Sequence, residues 1–83
     1  MSATLTQYGR QAERHWREHL PRMVRELEAG NRLQEALTEA EERTQDEMDQ
    51  MERQMREQGL TPQQAYDSAW EIVRERYIFL TPE

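Results

Sequence analysis

Apolar residues recur at helical intervals along almost the whole chain, and glycine and proline cut the pattern into four segments. Leu5, Tyr8, Ala12, Trp16 and Leu20 follow a 3-4-4-4 spacing that lines one face of a helix over about residues 5–20. Thr4 or Thr6 is placed to be its N-cap. Pro21 has no amide hydrogen and disfavours a helical residue before it, so a break belongs there. A short second helix over 22–29 turns Met23, Val24 and Leu27 inward, with Gly30 as a left-handed stop.

The third segment, about 32–58, is the longest, and Asn31 is its expected cap. Leu33, Leu37, Ala40, Thr44, Met48, Met51 and Met55 repeat at 4-3-4-4-3-4, two eleven-residue periods. Eleven residues in three turns drift little around a straight helix. At about 1.5 Å per residue the helix is roughly 40 Å long. Gly59 ends it, and Leu60 is set to fold back on Met55. Thr61-Pro62-Gln63-Gln64 is a complete start signal, with Thr61 as N-cap, Pro62 at the first helical position and Gln64 closing a capping box. The fourth helix, 62–77, buries Ala65 or Tyr66, then Ala69, Trp70, Val73 and Tyr77. No segment alternates as a strand does, apart from a short extended stretch at Tyr77–Leu80 leading into a tail, 78–83.

These elements predict an all-α fold: one domain, a small helical bundle built on a long antiparallel hairpin of the third and fourth helices. The first two helices pack across the Met/Leu stripe. The second is too short to cover all of it, so the pattern predicts a homodimer, or a partner groove, at Leu37, Thr44, Met48, Met51 and Met55.

Composition narrows the sources of stability. With 83 residues and no cysteine, disulfides and thiolate metal sites are excluded, and a domain this small gains only a few kcal/mol from its core. No apolar run is long enough to span a bilayer and no secretory core follows Met1, so no membrane association and a cytoplasmic location are expected.

Charge adds a surface. Residues 1–34 carry six Arg against four acids, whereas 35–83 carry five Arg against 13 acids, for a net charge of −6. Such a balance disfavours direct nucleic-acid binding, which draws its affinity from phosphate neutralisation. Glu35, Glu39, Glu42, Asp46 and Asp49 recur on the side of the third helix opposite the methionines. This face is either a solvated back that keeps the chain soluble or a docking surface for a basic partner. Glu47 borders the apolar stripe and is expected to pair with an arginine of the first two helices.

One stretch spells a catalytic word. His15-Trp16-Arg17-Glu18-His19 matches H-x-x-E-H, the inverted zinc-peptidase signature. That chemistry needs a third protein ligand and a chamber around a peptide, and no spacing in the chain supplies either. The alternative places Trp16 in the core stripe, with both histidines at its solvent edge. A histidine-pair metal protein is therefore the remotest of the readings, and no catalytic residue, metal ligand or cofactor is assigned. No nucleophile–base pair or glycine-rich phosphate loop occurs. Tyr8, Trp16, Tyr66, Trp70 and Tyr77 fall on inward positions and are expected in the core.

With the helices placed, several words stand in order: Leu5-Thr6-Gln7-Tyr8-Gly9-Arg10, Glu18-His19-Leu20-Pro21, Gly30 with Leu33, Gln54-Met55, and Ala69-Trp70-Glu71-Ile72-Val73. In these the chain resembles the TnpV-type small helical proteins encoded on bacterial transposons. The segment between Met55 and Ala69 is shorter than that family's linker, and Phe79-Leu80-Thr81-Pro82 is not part of its pattern. The resemblance implies a mobile-element or phage context, no assigned catalysis, and a helix end and turn at Glu18–Pro21 with a structural His19.

The combined expectation is a non-enzymatic protein–protein interaction module, an accessory protein of a mobile element or phage. The alternative is an acidic decoy that inhibits a nucleic-acid-binding host defence protein, of the anti-CRISPR or anti-restriction type, through Glu35–Asp49.

Overall fold

The computed structural model describes residues 5–83. It has four helices: α1 (Gln7–His19), α2 (Pro21–Ala29), α3 (Leu33–Glu57) and α4 (Pro62–Tyr77). Among the described residues there is no strand. Of the two expected caps of α1, Thr4 lies outside the described residues and Thr6 holds the N-cap position.

Thr6 starts α1 in an unusual way. Its side chain does not cap its own helix. Instead its N–H and its hydroxyl both donate to Glu41 Oε2 on α3, each at 2.7 Å. Gly9 is buried beside the same carboxylate, and a Cβ at that position would collide with Glu41 Oε2. A side chain at that position would displace the Glu41 carboxylate from the place where it accepts from Thr6.

Leu20 ends α1 and precedes α2, with φ −132°. It has no side-chain oxygen to cap α2, and Pro21 has no N–H, so the amides of Arg22 and Met23 need an acceptor from elsewhere. Glu83 supplies it: its two carboxylate oxygens accept from Arg22 N–H at 2.9 Å and Met23 N–H at 3.0 Å. The Glu83 N–H also donates to the His19 carbonyl at 3.0 Å, satisfying the end of α1.

Between α2 and α3 the left-handed residue is Asn31, with φ +57°, and not Gly30, whose φ is −87°. Arg32 N–H bonds the Leu27 carbonyl and Asn31 N–H bonds that of Glu28, a Schellman closure shifted one residue along. Asparagine tolerates this conformation better than other non-glycine residues, so Asn31 serves as the stop of α2 rather than the cap of α3. Arg32 then takes the N-cap position without a side-chain bond. Gly59, at φ +103°, closes α3 as expected, with Leu60 N–H on the Met55 carbonyl at 3.1 Å. The capping box of α4 is complete: Gln64 N–H donates to Thr61 Oγ1 and Thr61 N–H to Gln64 Oε1.

The core has two parts. Ala12, Trp16, Leu20, Val24, Leu37, Ala40 and Ile78 form the larger one, where α1, α2, α3 and the end of α4 meet. Met48, Ala69 and Val73 form the smaller one between α3 and α4. Thr44 is wholly buried, and its hydroxyl donates to the Ala40 carbonyl at 2.7 Å, which removes the cost of burying it.

Two expectations are corrected here. The α3 stripe is not left uncovered where α2 stops: α1 and α2 cover its first part, α4 and the segment after it cover the rest, and Leu37, Thr44 and Met48 are 1%, 0% and 0% exposed within one chain. They offer no surface to a second copy. Only Met51 and Met55 of the expected interface stay half-buried. The segment after α4 is not an extended strand: Ile78 is fully buried and Phe79 and Leu80 pack against the larger core.

Candidate interaction surface

The outward side of α3 follows from the same periodicity that buries its inner side. Glu35, Glu39, Glu42, Asp46 and Asp49 are all exposed, on successive turns of one 25-residue helix. Two of them are partly occupied. Glu39 Oε1 accepts from Arg43 at 3.0 Å, and Asp49 Oδ1 accepts from the Gln45 amide at 2.9 Å. Both are i,i+4 neighbours on an exposed helix, where such pairs contribute a few tenths of a kcal/mol. What this face offers is a row of solvated carboxylates on a rigid rod, with side chains free to meet guanidinium or ammonium groups.

Glu47 stands apart from that row. It is partly shielded and receives hydrogen bonds from the Tyr77 hydroxyl and the Arg76 guanidinium, both on α4. The expected partner on the first two helices is therefore corrected to α4, because α4 lies on that flank of α3. The Tyr77 hydrogen bond, with Arg76 beside it, holds the Glu47 carboxyl below the ordinary carboxylate range and raises the Tyr77 phenol.

Beside this cluster, where α4 ends, an open cleft of about 280 Å³ has an apolar floor of Trp16, Ala36, Ala40 and Leu80. Arg43 and Arg76 stand at its rim. Both guanidiniums are paired with carboxylates, Arg43 with Glu39 and Arg76 with Glu47.

Tyr8, Trp70, Phe79 and His15 form a continuous run of ring contacts. Tyr8 stacks on Trp70 with centroids 5.4 Å apart, and Phe79 meets Trp70 edge-on at 6.0 Å and His15 at 5.2 Å. Burial, then the hydrogen bond with Tyr66, pushes the Tyr8 phenol well up. Tyr66 itself is 39% exposed, contrary to the inward position expected of it. On α4 the inward place of that turn goes to Ala65, which is fully buried.

The histidines of the HWREH stretch are brought together, with ring centroids 4.6 Å apart. Yet His15 is committed elsewhere: its Nε2 lies 2.8 Å from the Leu80 carbonyl, which can only accept, so the ring donates. Trp16 between them is buried, with its indole N–H on the Ile78 carbonyl at 3.1 Å. Among the described residues no group of three or more His, Cys, Asp or Glu could hold a metal ion. No described helix is long and apolar enough to cross a membrane.

Comparison with protein families places these features. A family model described as transposon-encoded protein TnpV matches residues 1–78. The chain belongs to the TnpV family. It is thus a small, all-α, transposon-associated protein, and the TnpV match takes in every helix and stops inside the segment after α4. Phe79–Glu83, which fasten α1 to α2, lie beyond it. No curated protein and no solved structure matches the chain.

Sequence reasoning missed that last segment as a structural element. Its signals were present: three apolar residues in a row at Ile78–Leu80, and a Leu-Pro joint at 20–21 with no capping oxygen of its own.

Proposed function

We propose that this TnpV protein is a non-enzymatic interaction module that docks a basic protein on the outer face of α3. One observation carries the reading. The inner face of α3 is buried in the core at Leu37, Ala40, Thr44 and Met48, whereas five carboxylates on its outer face are all exposed along one 25-residue helix. A rigid acidic rod gives on-rate and register with a partner of opposite charge, and it needs no pocket and no catalytic group. Transposon membership supplies the context, since proteins that handle mobile DNA carry arginine- and lysine-rich surfaces of the kind this face complements.

The test is a comparison of two baits. The wild-type chain is set against Glu35→Arg/Glu42→Arg/Asp46→Arg, which leaves Glu39 and Asp49 to hold Arg43 and Gln45. All three changes are at exposed residues and should leave the helical signal intact. A basic protein retained by the wild type and lost from the variant supports the proposal. The same proteins on both baits would sink it.

A further inference from the structure

We infer that the open cleft at the end of α4 receives one aromatic side chain of the basic partner, so that the acidic face of α3 attracts and the cleft holds. The inference rests on the docking reading above and adds to it the residue that stands among the partner's arginines and lysines.

The cleft adjoins the acidic face because one helix builds both. Glu39 belongs to the exposed row and also lines the cleft, and Arg43, Ala36 and Ala40 continue from it toward α4. At 3.6 residues per turn these four lie within about 100° of one another around the helix. The two alanines leave a hollow of about 280 Å³, with Trp16 and Leu80 beneath it. Ala36, Tyr77 and Leu80 are only half-buried there, so an entering side chain covers apolar surface that the chain leaves wet.

Charge selects the occupant. At the rim, Arg43 is balanced by Glu39 and Arg76 by Glu47, and next to them on α3 stand the exposed Glu35, Glu42 and Asp46. An acidic segment would meet that row, and a second copy of the chain brings its own charge of −6. A basic segment gains twice, its cations on the row and its apolar member in the cleft. An aromatic ring suits the rim best, because a guanidinium paired along its edge keeps its flat faces for stacking. Attraction between solvated charges gives on-rate more than lasting affinity, which comes from an anchor seated in a pocket.

The experiment uses the full-length, isotope-labelled chain and two blocked peptides, each with three arginines on either side of a central residue, tryptophan in one and alanine in the other. Shifts of the Ala36 and Ala40 amides and of the Trp16 indole N–H report occupancy of the cleft. At about 0.15 M salt the tryptophan peptide should bind at least about tenfold more tightly and shift all three signals. Ala36→Phe, which fills the hollow, should bring both peptides to the same affinity. Ala36→Glu should weaken the tryptophan peptide although it adds an acid, where attraction alone would strengthen it. Equal affinity of the two peptides for wild type, or binding that leaves the three signals unmoved, overturns the inference, and this comparison needs no variant to fold. If both peptides are nevertheless weakened by Glu35→Arg/Glu42→Arg/Asp46→Arg, the docking reading stands without the anchor. A tryptophan preference that the three reversals leave untouched supports the cleft and sinks the docking reading instead. Shifts of the same signals with rising protein concentration and no peptide would give the cleft to a second copy and overturn the inference.

Discussion

Met48→Ala separates a core ridge from an interface ridge. Met48 is 0% exposed and lies in the smaller core with Ala69 and Val73. Truncation removes its thioether and terminal methyl from that packing and leaves a hole. The buried neighbours on α4, Ala69 and Val73, are short and cannot fill it, whereas Trp70, Tyr77, Met51 and Met55 at the margin close it only in part. Large-to-small changes of this kind cost roughly 2–5 kcal/mol, and limited collapse puts Met48→Ala at about 3 kcal/mol. For a domain of this size that is a large part of the total, since small domains are only marginally stable. The assay is urea denaturation followed by far-ultraviolet circular dichroism, repeated over a hundredfold range of protein concentration (about 1–100 μM, spanning common dimer affinities). The midpoint should fall markedly and should not move with protein concentration, in wild type or variant. A loss under about 1 kcal/mol, or a wild-type midpoint that climbs with concentration, would refute the packing argument and return the ridge to an interface between copies.

Three further outcomes follow from individual contacts. Gly9→Ala should push the Glu41 carboxylate off Thr6 and destabilise by about 1 kcal/mol, less the helix-propensity gain; in a Glu41→Ala background the same change should cost less, and strict additivity in the double-mutant cycle would count against the contact. Thr61→Ala removes one half of the capping box and should cost about 1 kcal/mol in thermal or urea unfolding, with no change in the α3 amides. Because the folded-state pKa of Glu47 is depressed, its contribution is present above the ordinary glutamate value and disappears as pH falls through the folded one. The stability gap between wild type and Glu47→Gln should therefore shrink on acidification from pH about 7 to about 3; a gap that widens would show the sign to be wrong.

Helices were legible because each had both a periodic face and punctuation: Pro21 and Pro62 at starts, Gly59 at a stop, Thr61 with Gln64 as a reciprocal cap. What local pattern could not supply was the choice among neighbours. Gly30 and Asn31 both suit a left-handed stop, and the register of the Schellman bonds selected Asn31. Ala65 and Tyr66 both suited the inner face of α4, and the structure buries Ala65 and leaves Tyr66 39% exposed. Glu47 was rightly set apart from the solvated acids, yet its partners lie about 30 residues on, at Arg76 and Tyr77, which periodicity does not connect. The tail was hidden for the same reason. Its apolar residues show no period, and its function as the missing cap of α2 emerges only when Glu83 is brought back across the whole chain to Arg22 and Met23. The exposure of Glu35, Glu39, Glu42, Asp46 and Asp49 was legible, since they repeat on the same helix whose inner side was already assigned.

The claim that matters most is that α3 works with its outer face. Once a basic partner has been retained by the wild-type chain, its dissociation constant should be measured by titration from low salt to several times physiological ionic strength, for wild type and for Glu35→Arg/Glu42→Arg/Asp46→Arg. The account predicts wild-type affinity that falls steadily with salt, and a variant whose affinity is weak at low salt and nearly flat. Affinity that is indifferent to salt and to the three reversals would contradict it, and would move the binding surface off the acidic side of α3.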